Sequence, residues 1–211
     1  MTATTLSPVE QGPGGGSQER TGSREIARAA VKSELSRLAF DLASQNGFEK
    51  VTINDLAEAG GVSRSTFLRY FRTKEDAVLY AIDAQITELV NALLARPADE
   101  SDWTALRHAL DTVIEPYRRD PASALAMTRL VQNSPALYAR MLEKQHSWWP
   151  ALTEALADRN NSLRPVPLPL VVKATTALVC LNIALDHWTA SDGELDLEGL
   201  LNEAFATLGG V

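Results

Sequence analysis

The chain has 211 residues, 45% of them hydrophobic and 22% charged, which suits a globular protein built as one large domain or as a small domain joined to a larger one. A single cysteine, Cys180, excludes an intrachain disulfide and a cysteine-rich metal site, and suits a reducing cytoplasm. The net charge of −7 is uneven: residues 20–76 carry ten Lys/Arg against eight Asp/Glu, whereas residues 77–211 carry ten against seventeen and residues 1–19 carry −2, so an acidic partner is expected at the N-terminal third.

Residues 1–22, with Gly12-Pro13-Gly14-Gly15-Gly16-Ser17, are expected to form a disordered arm, because this composition buries little apolar surface. They also lack the basic and apolar regions of a signal peptide. Arg20, Arg24 and Arg28 leave open a basic arm that reaches nucleic acid. Beyond them apolar residues recur at helical spacing and nothing reads as strand. Val31, Leu35, Leu38, Ala39 and Leu42 mark one face of a first helix that ends at Asn46-Gly47. Short helices follow at 53–59 and 64–70, then a long one at 74–94. Further helices are expected at 103–119, 121–131, 135–159, 170–189 and 197–208, with Pro116 and Pro150 kinking or breaking two of them. Alternating prolines should hold 164–169 extended. The apolar stretch 168–190 carries Lys173, Asn182, Asp186 and His187, and reads as a buried helix rather than a membrane span.

The informative segment is VTINDLAEAGGVSRSTFLRYFRTKED, residues 51–76. Thr52, Ser63 and Thr73 each stand where a helix should begin, and Asp55 and Asp76 complete a capping-box-like pattern with the first and third. Gly60-Gly61-Val62 allows a sharp turn between two short helices. Leu56, Ala57, Val62 and Phe67 are spaced to pack both helices on the first, which makes a helix-turn-helix. The second helix would then expose Ser63, Arg64, Ser65, Thr66, Arg69 and Tyr70, a face without carboxylates that can donate to phosphates and aim an arginine at a guanine edge.

This segment, with Gly47-Phe48, Thr52-Ile53, Gly61-Val62-Ser63, Tyr70-Phe71 and Lys74-Glu75 in order, resembles the DNA-binding domain of TetR-family regulators over residues 25–84. The resemblance implies an all-α protein: a three-helix helix-turn-helix domain, residues 23–76, and a helical ligand-binding and dimerisation domain, residues 77–211. It implies that Thr52 and Ser63 contact backbone phosphate, that Arg64, Ser65 and Thr66 face the major groove, and that Tyr70 and Lys74 bind phosphate. Leu68 departs from the family, where an aromatic, often tyrosine, is common; leucine cannot donate to phosphate. The implied partners are double-stranded operator DNA, a small-molecule effector and a second copy of the chain, in the cytoplasm, with no membrane and no cofactor. The family's repressors are released from palindromic operators by their effectors.

Resemblance implies a ligand cavity among the middle helices and a dimer built from the last two long helices. The stretch 129–149 also resembles mycofactocin-associated regulators, which suggests a long acyl or acyl-thioester ligand with Arg118, Arg119 or Arg140 at its head. Candidate lining residues, chosen by helical position and chemistry, are Trp103, Tyr117, Met127, Leu130, Tyr138, Trp148, Asn182 and Trp188. His108, His146 and His187 lack metal-ligand spacing, so no metal is expected. Cys180 reads as a small buried hydrophobe. No nucleophile with an adjacent base and no phosphate loop after a strand points to an enzyme.

Overall fold

Local capping sets the frame of the N-terminal half. In the computed structural model, which describes residues 16–162 and 164–209, α1 (Gly16–Asn46) leads through a 3-10 turn (Phe48–Lys50) into α2 (Ile53–Ala59), α3 (Arg64–Tyr70) and α4 (Lys74–Val78). Thr52, Ser63 and Thr73 are the three N-caps, each hydroxyl accepting from the backbone N–H three residues on. At α2 the box closes in both directions: the Thr52 N–H and hydroxyl each donate to the Asp55 carboxylate at 2.8 Å. These two donors, the backbone one foremost, hold the Asp55 carboxyl below its usual range.

The turn between α2 and α3 needs both of its glycines. Gly61 sits at φ +62°, where a side chain is strained. Gly60 lies so close to α1 that a Cβ would stand 2.3 Å from Leu35 Cδ2. That approach lets Leu35 and Ala39 of α1 pack with Leu56, Ala57, Phe67 and Phe71, all at 3% exposure or less. Val31, expected on the same face, is exposed.

The remainder is α5 (Tyr80–Leu94), α6 (Asp102–Ala109), α7 (Asp111–Arg119), α8 (Pro121–Asn133), α9 (Pro135–Arg159), α10 (Leu168–Ala190) and α11 (Leu197–Gly209). No strand occurs among the described residues, in keeping with the expected all-α fold. A second core joins Leu89 and Leu93 of α5, Leu106, Leu110 and Ile114, Trp148 and Leu152 of α9, and the inner face of α10 to Leu201 and Phe205 of α11.

Several boundaries differ from expectation. Helix α1 begins at Gly16, inside the segment expected as an arm; residues 1–15 lie outside the described residues. Past Gly16, a single glycine interrupts a run of helix-forming Glu, Arg and Ala. The long helix expected over 74–94 breaks at Leu79, and the one over 103–119 at Leu110. Both leucines are fully buried, so packing in the core overrides local helix propensity. Pro116 and Pro150 break neither helix; each is carried inside a continuous α7 or α9. The extended stretch ends at Pro167, because Pro169 occupies the start of α10, where its missing N–H has no intrahelical partner to lose. Ala77, Val78 and Leu79 pack with the N-terminal core, so packing divides just past the boundary expected after Asp76.

Candidate nucleic-acid interface and sensor

The N-cap of α3 turns its first residues outward. Ser63, Arg64 and Ser65 are exposed and Thr66 half-buried. Ser63 is busy locally: its hydroxyl accepts from the Thr66 N–H at 3.1 Å, donates to the Thr66 hydroxyl at 3.0 Å, and lies 3.0 Å from the Ser65 hydroxyl. Phe67, at 0% exposure, anchors the helix from the opposite side. Arg69 is exposed, while Tyr70 and Leu68 are half-buried. The structure thus gathers Ser63, Arg64, Ser65, Thr66, Arg69 and Tyr70 on one short helix and its cap, with Thr52 capping the helix before it.

Lys74 is placed differently from the phosphate role its resemblance implied. Its ammonium donates to the carbonyls of Phe48 (2.9 Å) and Val51 (3.0 Å) and stands 4.2 Å from the Phe48 ring centre. Two of its three donors therefore tie α4 to the turn before α2, and one is left for a phosphate. Two cations of α1 were not singled out with the recognition residues. The Arg28 guanidinium lies 5.7 Å from the Tyr70 ring centre and donates to the Arg69 carbonyl at 3.3 Å. The Lys32 ammonium stands 4.7 Å from Tyr80 and 5.3 Å from Phe71.

The two cores are bolted together across α8 and α9. Val131 and Leu137 are buried in the N-terminal core, with Met127, Leu130 and Met141 packed against it. Polar ties accompany them. Arg140 donates twice to the Asp76 carboxylate (2.9 and 2.7 Å), Lys144 pairs with Asp83, and the Ser134 hydroxyl donates to Glu49 at 2.7 Å. Asp76 belongs to the first turn of α4, so the Arg140–Asp76 pair ties α9 to the helix that carries Lys74. These partners lie 61 to 85 residues apart in sequence, and no local pattern announces them.

The eight expected lining residues do not meet in one place. Trp103 stacks on Phe205 at 4.4 Å and its indole N–H donates to the Phe205 carbonyl. Tyr117 meets Trp188 edge to face at 5.4 Å, and burial pushes its phenol upward. Trp148 is buried in the same core. Asn182 exchanges hydrogen bonds with Gln145 at 2.9 and 3.1 Å. Met127 and Leu130 belong to the junction, and Tyr138 is exposed. Of the eight, Met127 alone lines a groove of about 520 Å³, shared with Ser33, Phe40, Tyr80 and Ala84. A second groove of about 450 Å³, between α4 and α9, is lined by Arg72, Asp76 and Arg140. Both lie at the junction of the two cores, whereas Trp103, Tyr117, Trp148 and Trp188 belong to the second core, where Trp103 packs on Phe205 and Tyr117 on Trp188. Of the arginines suggested for a ligand head, Arg118 donates to Glu198 at 2.6 Å, Arg140 is committed to Asp76, and Arg119 is largely exposed.

One helix is apolar on two sides. The inner face of α10, with Leu170, Ala174, Ala177, Leu181, Ala184 and Trp188, is buried. Leu168, Val172, Val179 and Ile183 are 49–73% exposed, and at 3.6 residues per turn they fall within an arc of about 60°. The helix is long and apolar enough by composition to cross a membrane, but its inner face is part of the protein core. Next to it, Tyr138, Leu142 and Trp149 of α9 are also exposed, and the Gln145–Asn182 pair joins the two stripes. Apolar exposure therefore concentrates on α9 and α10. On α11, expected to share the interface, Leu208 is the large apolar side chain that stands exposed.

Comparison with known proteins agrees with this geometry. The family model described as "Bacterial regulatory proteins, tetR family" matches residues 36–81, and that described as "MftR C-terminal domain" matches residues 100–211. The transcriptional regulator TcmR of Streptomyces glaucescens is 31% identical over 169 residues, covering 75% of each chain. MftR of Mycobacterium tuberculosis is 24% identical over 192 residues, covering 91% of this chain and 94% of its own. Among solved structures, FadR of Thermus thermophilus in complex with lauroyl-CoA has a TM-score of 0.54 at 21% identity, covering 84% of this chain and 92% of that one. FadR of Bacillus subtilis in complex with stearoyl-CoA has a TM-score of 0.58 at 15% identity, covering 84% and 97%.

Proposed function

Because the chain belongs to the TetR family of bacterial regulators, we propose that it is a homodimeric repressor released from a palindromic operator by a small apolar or amphipathic effector. It is a DNA-binding transcription regulator and not an enzyme, as the family is. The observation that carries the reading is the capped, glycine-turned α2–α3 pair, in which Arg64 and Ser65 are exposed, Thr66 is half-buried beside them, and Phe67 holds the helix from behind. Such a helix can enter a major groove with its first turn, and the Arg64 guanidinium is free to make a bidentate contact with guanine. In this reading Thr52, Ser63 and Tyr70 supply hydroxyls to phosphate, and Arg69, exposed on the same helix as Tyr70, adds charge.

Arg64→Ala is expected to cost about 1–3 kcal/mol on the selected operator and to relax base preference at one position of each half-site. Selection from a random duplex library with wild type and variant reads both effects. An unchanged preferred sequence would remove Arg64 from base reading.

In this reading the effector binds within the 77–211 part, and the chemistry of its core supports that. Trp103, Tyr117, Trp148 and Trp188 make an aromatic interior with few charges, so a ligand that parts these side chains must itself be apolar over most of its surface. Two proteins of the same fold were solved with acyl-CoA thioesters, and such ligands are the first to screen. Opening this core moves α9, and through Arg140–Asp76 it displaces α4 and the recognition helix; a differential affinity of about 1–3 kcal/mol between the two states suffices. Operator release by fatty acids, acyl-CoAs, aromatic drugs and polar metabolites is compared directly, and release by strongly polar metabolites alone overturns the apolar reading. Arg140→Ala is expected to keep operator binding within a few-fold while blunting release by an active effector; a full response in the variant would remove this pair from the coupling path. As a regulator of chromosomal DNA the protein acts in the cytoplasm.

A further inference from the structure

The larger groove, about 520 Å³, opens between α1 and α5, with Met127 of α8 beside them. That volume lies in the range of pre-formed small-molecule pockets. Its walls are low: Ser33 and Ser36 line it from α1, Ala81 and Ala84 from α5. Ser33, Ser36 and Phe40 stand at i, i+3 and i+7 and so share one face of α1. Phe40 is half-buried yet belongs to neither core, and the space it lines is this groove. Tyr80 and Met127 bring a second ring and a thioether.

The hydroxyls of the groove are unmet. Ser36 is only 7% exposed, and its hydroxyl has no hydrogen-bond partner among the described residues. No fully enclosed side-chain oxygen there lacks a partner, so the Ser36 hydroxyl keeps some accessible surface, and the groove it lines supplies it. The Ser33 and Tyr80 hydroxyls likewise have no partner among the described residues. A nearly buried hydroxyl in this position is satisfied by whatever fills the space beside it. The ionic side chains, by contrast, are already engaged. Arg37 is held by Glu34 and Asp41, each at 2.7 Å, and Asp83 pairs with Lys144. The Lys32 ammonium stands 4.7 Å from the Tyr80 ring centre and 5.3 Å from that of Phe71. A charged ligand would shed water for a site whose ions have their partners, whereas a neutral one has only hydroxyls to meet.

We propose that this groove is a small-molecule site separate from the sensor core, and that it takes a neutral aromatic compound bearing hydroxyl or carbonyl groups. The ligand's ring packs against Phe40, Tyr80 and the Met127 thioether. Its polar groups meet the hydroxyls of Ser36, Ser33 and Tyr80, each of which can donate or accept. The occupant touches α1 on one side and α5 and α8 on the other. Those contacts exist only while the junction keeps this spacing, so occupancy favours this relative placement of the two cores over any other.

The site goes beyond the sensor-core effector, and its binding is measured without DNA, so the two stand or fall separately. Calorimetric titration of the full chain uses three probes of one shape: 2-naphthol, which is neutral, 2-naphthoate, an anion, and 2-naphthylmethylammonium, a cation. Saturable binding of 2-naphthol is expected, about tenfold or more tighter than that of either ion. Tyr80→Phe and Ser36→Ala should each weaken it about three- to tenfold, the worth of one hydrogen bond. Ala84→Phe, at an exposed position, fills the groove and should abolish binding, with matching circular dichroism to show that the fold is kept; the two hydroxyl deletions add no bulk and carry the same test. Lauroyl-CoA probes the sensor core in parallel: its failure to bind counts against the sensor reading alone, and where it binds it should leave 2-naphthol in place. No binding of 2-naphthol, unchanged affinity in all three variants, tighter binding of either ion, or displacement by lauroyl-CoA overturns the proposal.

Discussion

Val179→Asp combined with Ile183→Asp is expected to yield a folded monomer that has lost operator affinity by roughly 100-fold or more. Both side chains are about half exposed on the outer stripe of α10, so the substitution leaves the inner face and its core contacts untouched. The outer stripe of α10, with Tyr138, Leu142 and Trp149 on α9, leaves seven large apolar side chains exposed, and exposed apolar clusters of this kind mark association surfaces. Paired on itself about a two-fold axis, it would place one carboxylate pair of each protomer against the other without compensation. Loss of pairing halves the bases read, because one short helix covers only a few base pairs. Light scattering at micromolar concentration, with operator binding on the same sample, reads both consequences. Leu94→Asp, also on an exposed apolar residue but away from the stripe, should retain the mass of two chains. A wild-type mass of one chain would end the dimer reading, and an unaltered mass in the double variant would move the interface elsewhere.

Lys74→Met is expected to lower stability by about 2 kcal/mol, since the carbonyls of Phe48 and Val51 lose their donor and the Phe48 ring loses its cation. For a chain of this size that is a drop in Tm of roughly 4–8 °C. Methionine keeps the length of the stem, so the loss belongs to the ammonium and not to packing. Operator affinity falls as well, through loosening of the turn that positions α2 and α3. The salt slope separates this role from direct phosphate binding. A slope reduced by about two per bound dimer with an unchanged Tm would return Lys74 to phosphate, whereas a lowered Tm with a nearly unchanged slope assigns it to the fold.

The sequence is most legible where the physics is local. The ranges 53–59 and 64–70 are met to the residue in α2 and α3, because Thr52 and Ser63 cap within three residues of themselves and Gly61 marks the turn. The range 135–159 is likewise met in α9, where Ser134 caps and Pro135 opens the first turn. The breaks at Leu79 and Leu110 carry no such mark. Leu79 lies within an apolar run and Leu110 between Ala109 and Asp111, and what bends the chain at each is a core assembled from distant helices. Lys74 is the same case at a side chain. Its partners stand 23 and 26 residues earlier, and only the folded chain brings them near. The grouping of Ser63, Arg64, Ser65, Thr66, Arg69 and Tyr70 was readable for the opposite reason, since all six lie on one helix of seven residues and its cap. The aromatics offered as lining residues could not be grouped from sequence: Trp103 depends on Phe205, some hundred residues away, and Tyr138 is exposed.

The burial of Val131 and Leu137 in the N-terminal core bears on how such proteins can be recombined. A chimaera that joins this DNA reader to a foreign C-terminal part after Leu79 would leave the faces of α1 and α4 that pack on α8 and α9 against a surface shaped for other side chains. The reader is therefore not a portable module defined by a stretch of sequence. Its transferable unit is discontinuous: residues through Leu79 together with the faces of α8 and α9 that bear Met127, Leu130, Val131, Leu137 and Arg140. Natural exchange of sensors in this architecture would then be constrained less by the linker than by whether the incoming helices repeat that patch.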